Sequence, residues 1–149
     1  MSRTALIVVL FILALLGTAD SVYLAQSAMS DTPLVCDIDG LDDCNVVAQS
    51  PYSKLLGIPL GAYGVVFYVV SIVALLAIVY APRRLWYRVL VGVSVLGALM
   101  SIVFLGIQLF LIQAICVYCI ASAIITFLMA PLSLLLSKQF SPQLPVVVP

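Results

Sequence analysis

Four cysteines are the residues of this chain best suited to chemistry. Cys36 and Cys44 lie in one polar segment with seven residues between them, and Cys116-Val117-Tyr118-Cys119 lies far downstream in an apolar one. The sequence has no histidine, so these thiols are the only side chains fitted to repeated redox chemistry near neutral pH. Residues three apart share one face of a helix, so Cys116 and Cys119 can close to a disulfide or open to a dithiol. At a helix start, free backbone N–H groups and the positive end of the macrodipole favour a thiolate, the species that attacks disulfides. Burial among apolar side chains works the other way. Cys36 and Cys44, taken alone, suit either a structural staple of their loop or a second, exchanging dithiol. If both pairs lie on one side of a membrane, electrons can pass between them through successive mixed disulfides. Four thiolates can also hold zinc, but an oxidising compartment and the lack of histidine argue for exchange without a metal.

The elements that must position these thiols follow from composition. Of 149 residues 65% are hydrophobic, with six basic and six acidic side chains and a net charge of zero. That describes a small membrane protein and gives no reason to expect a nucleic-acid partner. A spanning helix needs about 20 apolar residues. The first span is expected at 4–25 and the second at 59–81. No charged residue occurs between Arg88 and Lys138, a stretch of 49 residues that fits two spans, 89–111 and 115–137, joined by a hairpin near 112–115. The fold class expected is therefore an all-α membrane protein, a four-helix bundle in one domain over 1–140. The proline-punctuated tail 141–149 is expected to be extended or disordered. Arg3 followed by an apolar run also fits a cleaved leader. Val22-Tyr23-Leu24-Ala25 extends that run to full span length, which favours a retained helix.

Positive charge sets the orientation. Arg3, Arg83, Arg84, Arg88 and Lys138 all flank spans, and four spans with both termini cytoplasmic put all five on the cytoplasmic side. The loop 26–58 and the 112–115 hairpin then lie outside, so both cysteine pairs are extracytoplasmic, where disulfides persist. The outer loop is too long for a structureless connection. With its amphipathic stretch Tyr52–Leu56 it reads as a lid capping the bundle.

A thiol relay needs a final electron acceptor, and no flavin, nicotinamide or haem motif is visible. The acceptor that suits a dithiol at the bilayer surface is a lipid-soluble quinone entering between helices. Asp20 is the single acid inside a span, close enough to the expected outer end at Ala25 to reach water; quinone reduction also consumes protons, and a carboxyl at membrane depth is a second reading as their source. Gly57-Ile58-Pro59-Leu60-Gly61 and Gly61-x-x-Gly64 have the spacing of close helix packing. Tyr80, Trp86 and Tyr87 beside the arginines read as interfacial anchors, and the loop acids as a solvated face.

Several blocks together carry a family resemblance. Cys36-x7-Cys44-Asn45-Val-Val-Ala-Gln-Ser50-Pro51-Tyr52-Ser53, Leu56-Gly-Ile-Pro-Leu-Gly-Ala-Tyr-Gly64, Cys116-Val-Tyr-Cys119 and Asp20-Ser-Val-Tyr-Leu24 resemble the microbial vitamin K epoxide reductase family, over nearly all of the chain to about residue 137. The resemblance implies a four-helix bundle around a quinone, of menaquinone, ubiquinone or phylloquinone type, in the plasma (inner) membrane. It implies Cys116 and Cys119 as the active-site pair, with Cys119 nearest the quinone and Cys116 exchanging with the loop. Cys36 and Cys44 become the shuttle pair that takes electrons from a thioredoxin-like (DsbA-like) protein, and Ser50 the hydroxyl that bonds a quinone carbonyl. From the residues alone Ser50 also suits a helix cap or Ser-Pro turn. Many microbial members carry a fused thioredoxin-like domain after a fifth span. This chain stops after four, so the partner is expected to be a separate protein. Vertebrate members have Thr-Tyr-Ala just after C-x-x-C, where this chain has Ser122-Ala123-Ile124. That favours quinone reduction coupled to disulfide formation over epoxide reduction. The DsbB type of quinone-linked oxidase has its C-x-x-C before the second pair, the reverse of the order here. A non-catalytic tetraspan protein with two static disulfides is the alternative from another class.

Overall fold

A computed structural model describes residues 2–30, 32–35 and 44–140. Four of its helices are long and apolar enough to cross a membrane: α1 (Arg3–Ser30), α3 (Leu60–Tyr80), α4 (Arg84–Ile107) and α5 (Val117–Lys138). A short α2 (Cys44–Gln49) lies in the connection between the first two. The chain is a multi-pass membrane protein built as a four-helix bundle. In hydrocarbon every backbone group must be bonded within its own segment, which is why the apolar runs become helices.

The expected spans differ from these helices mainly at charged or polar ends. α1 runs five residues beyond Ala25, to Ser30, because Gln26, Ser27 and Ser30 are polar but compatible with a helix. Ser27 and Ser30 hydroxyls donate to the carbonyls of Thr32 and Gln26, tying the end down. α4 begins at Arg84 rather than 89, taking Arg84 and Arg88 into its first turns. Long basic side chains can do this with their charge still in water.

Within the bundle α1 packs on α3 and α5, while α4 packs on α5 and α3. Small residues set the α1–α3 distance. A methyl group on Gly61 would lie 2.6 Å from the backbone nitrogen of Ala25, and one on Gly64 would meet the Ser21 hydroxyl. The Gly61-x-x-Gly64 spacing therefore does serve close packing, whereas Gly57 has no neighbour within 4 Å and serves a turn, not a helix contact. One end of the bundle is a filled core of Leu6, Leu10, Leu75, Ile78, Met129 and Leu136 among others. Tyr87 belongs to this core and is only 3% exposed, so it is no lipid-facing anchor. Its hydroxyl accepts from Arg3 Nη2 at 3.0 Å, giving a charge near the helix end a partner.

The connection before α3 also departs from expectation. The amphipathic stretch Tyr52–Leu56 is not one continuous element. A 3-10 turn, Pro51–Ser53, leads into a two-residue hairpin, β1 (Lys54–Leu55) with β2 (Ile58–Pro59), Leu55 opposite Ile58. Its turn residues Leu56 and Gly57 have φ of 54° and 81°, the positive values that a tight hairpin turn requires. Met1, Asp31, residues 36–43 of the loop expected to be a lid, and the tail 141–149 lie outside the described residues.

Candidate active site

At its far end α4 widens into a π-helical turn, Gln108–Ile112, and the chain reverses at Gln113, whose φ is 56°. Such turns are rare and gather at functional sites. This one directs Gln108 inward while Leu109, Phe110 and Leu111 stay exposed. The Gln108 carbonyl oxygen Oε1 accepts the backbone N–H of Cys116 at 3.1 Å. Its side chain also bonds Cys119. One buried amide thus ties both ends of the C-x-x-C motif to the preceding helix.

Cys116 is the N-cap residue of α5, with extended backbone, and Cys119 is in the first turn. Both are free thiols. Cys116 lies just outside the spans, and its thiol is pulled from the ordinary 9.0 down to about 7. The main cause is a hydrogen bond from the Cys119 thiol, opposed by burial and helped by the backbone N–H groups of Cys119 and Tyr118. Between the two influences expected from the sequence, hydrogen bonding at the helix start outweighs burial. Cys116 is the better thiolate of the pair and Cys119 its proton donor.

The loop meets this motif directly. Cys44, at the start of α2, is disulfide-bonded and fully buried. It packs with Leu34, Val47, Ala114 and Cys116 in a small apolar cluster separate from the main core. Asn45 brackets Leu34, accepting its N–H at 2.8 Å and donating to its carbonyl at 3.2 Å. Val35 is held twice. Its N–H donates to the Tyr23 hydroxyl at 3.1 Å, and its carbonyl accepts from the Tyr118 hydroxyl at 2.7 Å. The two tyrosine rings lie 5.1 Å apart. Tyr118, between Cys116 and Cys119 in sequence, therefore fastens the residue next to Cys36. Cys36 itself lies outside the described residues.

Beneath the loop a cavity of about 470 Å³ opens among α1, α3, α4 and α5. Cys116, Cys119, Gln108, Ser50, Tyr68 and Ser122 contribute to its lining, among mostly apolar neighbours. Apolar walls with a few convergent polar groups, at a volume between about 300 and 1,000 Å³, are what small-molecule sites offer. That suits a small, largely apolar ligand beside a dithiol. Ser50 reaches this cavity, but its hydroxyl donates to the Val47 carbonyl at 2.8 Å, as a Ser-Pro turn would have it. Among the described residues no group of three or more cysteine, aspartate or glutamate side chains could hold a metal ion.

Two features were missed by sequence reasoning. Gln108 stood out only as polar punctuation in an apolar run, and only the π-helical turn gives it a role. Asp20, expected within reach of water, sits ten residues before the end of α1, about 15 Å along the helix. Its carboxyl lies against the Ser122 hydroxyl, and its Oδ2 is sealed from solvent without a partner.

No curated protein matches the chain closely enough to count as a relative. A model of the vitamin K epoxide reductase family matches residues 8–134, which include all four helical spans in large part and all four cysteines. The chain belongs to the vitamin K epoxide reductase family, whose members are in general membrane quinone-linked thiol oxidoreductases.

Proposed function

We propose that this protein reoxidises a thioredoxin-like partner on the extracytoplasmic side of the plasma membrane and passes the electrons to a quinone. The observation that carries the reading is a free Cys116–Cys119 dithiol on a cavity wall, with disulfide-bonded Cys44 packed in the same cluster as Cys116. This is the state ready to give electrons inward. Both S–H bonds of the dithiol break and the Cys116–Cys119 disulfide forms. Two electrons and two protons pass to the quinone, leaving a quinol. Cys119 makes the inward contact and Cys116 faces the loop.

The return half uses Cys36 and Cys44 as the shuttle pair. A dithiol of the partner reduces their disulfide, and one loop thiol then attacks Cys116 to form a mixed disulfide, releasing Cys119. The second loop thiol resolves that bond, and Cys116 leaves as a thiolate. A thiol held near 7 is a good leaving group, so the hydrogen bonds at the start of α5 favour this step. Ser50 fits the role of orienting a quinone carbonyl by turning its hydroxyl from Val47 into the cavity. The acceptor would enter through the side of the bundle. Leu96 and Met100 of α4 line the cavity and are still 56% and 48% exposed, so that wall faces lipid.

The test is purified protein with a reduced thioredoxin-like donor and a short-chain quinone, monitored for quinol. Wild type should turn over. Cys119→Ser should lose the activity by at least about 10³-fold, as expected when a nucleophile is removed. A Cys119→Ser protein that reduced quinone at the normal rate would end this assignment.

A further inference from the structure

Asp20 is a carboxylic side chain inside a membrane span that the relay just described leaves unused. It lies on α1, against the hydroxyl of Ser122 on α5. Ser122 Oγ makes its tighter bond to the Tyr68 hydroxyl of α3, at 3.0 Å, and the Tyr68 hydroxyl also reaches the Ser122 carbonyl at 3.4 Å. Three helices thus bring a carboxyl, a hydroxyl and a phenol into one connected group. The fold keeps the phenol in place. Gly17 lies directly under the Tyr68 ring, where any added methyl group would overlap it. Tyr68 is 1% exposed.

The group adjoins the reacting thiols. Ser122 is three residues after Cys119, so both lie on one face of α5, and both line the cavity with Tyr68. Asp20 itself does not line it, yet it is close enough for its charge to act on Cys116 and Cys119. Its Oδ2, sealed and unpartnered, is an acceptor site with no donor. A buried polar atom without a partner is destabilising unless it has a role that fills the place some of the time.

We propose that Asp20, Ser122 and Tyr68 form a proton relay for the Cys119 reaction, with Asp20 as a proton-holding and positioning residue acting through Ser122. This inference rests on the quinone-linked reading above. The need for such a store is chemical. The thiol must lose its proton before the sulfur can act as a nucleophile. The quinone oxygen needs a proton only once electrons arrive. In an apolar cavity a group must hold that proton between the two events. The Cys119 proton passes to the Ser122 hydroxyl as Ser122 gives its own to Asp20. The reverse transfer, through Ser122 or Tyr68, delivers it to the quinone oxygen. Over the cycle two S–H bonds become one S–S bond and two O–H bonds form on the quinone. The relay carries the Cys119 proton to one quinone oxygen. The Cys116 proton leaves to water on the loop side, the second quinone oxygen takes its proton from water, and Asp20 ends as it began.

The experiment compares wild type, Asp20→Asn, Asp20→Glu, Ser122→Ala and Cys119→Ser, each purified in lipid with a short-chain quinone. Asp20→Asn should lower kcat on the order of 10²-fold, the usual contribution of a positioned proton carrier, while KM for the quinone stays within about twofold. Asp20→Glu should recover most of the loss, which a merely structural role would not predict. Time-resolved infrared difference spectra, recorded as quinone is mixed with the dithiol enzyme and before turnover is complete, supply a readout besides turnover by catching the transiently protonated carboxyl. Wild type should show a carboxyl C=O band that shifts in D2O, and Asp20→Asn should lack it. Should Asp20→Asn fail to fold, Ser122→Ala carries the test, since it should cut kcat and remove the carboxyl band while Asp20 is intact. A carboxyl band that survives in Asp20→Asn, or full activity in both Asp20→Asn and Ser122→Ala, would overturn the relay. If those variants are fully active while Cys119→Ser is dead, the relay fails and the quinone-linked reading stands. If Cys119→Ser is itself active, the reading fails with it.

Discussion

At the end of the bundle that carries Arg3, side chains from all four spanning helices meet and fill the space between them: Leu6 and Leu10, Leu75 and Ile78, Leu90, Met129 and Leu136. At the cysteine end the same helices are held differently. Gly61 brings α3 so close to α1 that backbone meets backbone and Gly64 lies against the Ser21 side chain, while α4 leans on α5 and leaves a cavity of about 470 Å³. Order there comes from polar ties: Gln108 to Cys116, Asn45 to Leu34, Tyr23 and Tyr118 to Val35. The difference teaches that one set of helices can serve two needs. The filled end fixes the frame. The cavity end gives up side-chain packing and gains room for a substrate and a reactive pair.

The largest expected effect breaks the frame. Leu75→Ala removes a fully buried side chain from the filled end and should cost about 2–5 kcal/mol of stability, because the close-packed surroundings relax only in part. Met100→Ala, on the half-exposed cavity wall, should cost less than about 1 kcal/mol and show itself in KM for the quinone. Unfolding of the two variants in detergent, with quinone titrations, measures both. Equal losses of stability would mean the two ends do not differ as described.

Gly61→Ala comes next, because it strikes the place where the cavity end is tight. Its new methyl group would lie 2.6 Å from the Ala25 nitrogen and 2.9 Å from the Ser21 carbonyl oxygen. Backbone cannot turn aside as a side chain can, so α1 and α3 must separate, at about 1–3 kcal/mol. Thermal unfolding checks the cost. A Gly61→Ala protein as stable as wild type would show that the close approach is not needed.

These two ends were not equally legible in the sequence. The four spans could be read from apolar runs and charge placement, since in a bilayer both are imposed by the solvent. α3 was predicted to within a residue at each end. The errors fell at Ser30 and Arg84, where helix continues into the polar boundary and composition no longer reports it. At the site, the cysteines were legible from type and spacing, and the helix start at Cys116 from the polar break before it. Gln108, Tyr68 and Ser122 were not, because each acts across helices and nothing local marks it. Tyr87 was misread for the same reason: its partner Arg3 is far away in the chain.

A smaller effect sharpens the account of the thiols. Because the Cys119 hydrogen bond is the main reason the Cys116 thiol titrates near 7, the rate of Cys116 alkylation should rise with pH through about 7 and level off above it. The thiolate is the reactive form, so the rate follows deprotonation. In Cys119→Ala that bond is gone, and the rise should move to higher pH, toward the ordinary 9.0. Alkylation rates against pH give both midpoints. An unchanged midpoint in Cys119→Ala would mean that the helix start alone stabilises the Cys116 thiolate.

The smallest effect is expected at Tyr118, and it tests whether the polar ties at the cavity end also control access. Its hydroxyl donates 2.7 Å to the Val35 carbonyl, at an exposed position beside the site. Tyr118→Phe keeps the ring and its contact with the Tyr23 ring, and removes the bond to Val35 together with the hydroxyl's weaker contact with the Tyr23 hydroxyl. One hydrogen bond is worth about 0.5–1.5 kcal/mol net, so overall stability should fall by no more than that. Val35 would then be held on one side only, by the Tyr23 hydroxyl. The segment covering Cys116 should open more often, by up to about tenfold if the bond contributes its upper value to closing. Buried Cys116 would be alkylated faster by the same factor at fixed pH, with its pH midpoint unmoved. Faster labelling with an unchanged midpoint identifies an access effect and separates it from a change in thiol acidity. If Tyr118→Phe labels at the wild-type rate, the burial of Cys116 is due to Leu34, Val47 and Ala114, and the tyrosine tie contributes nothing to closure.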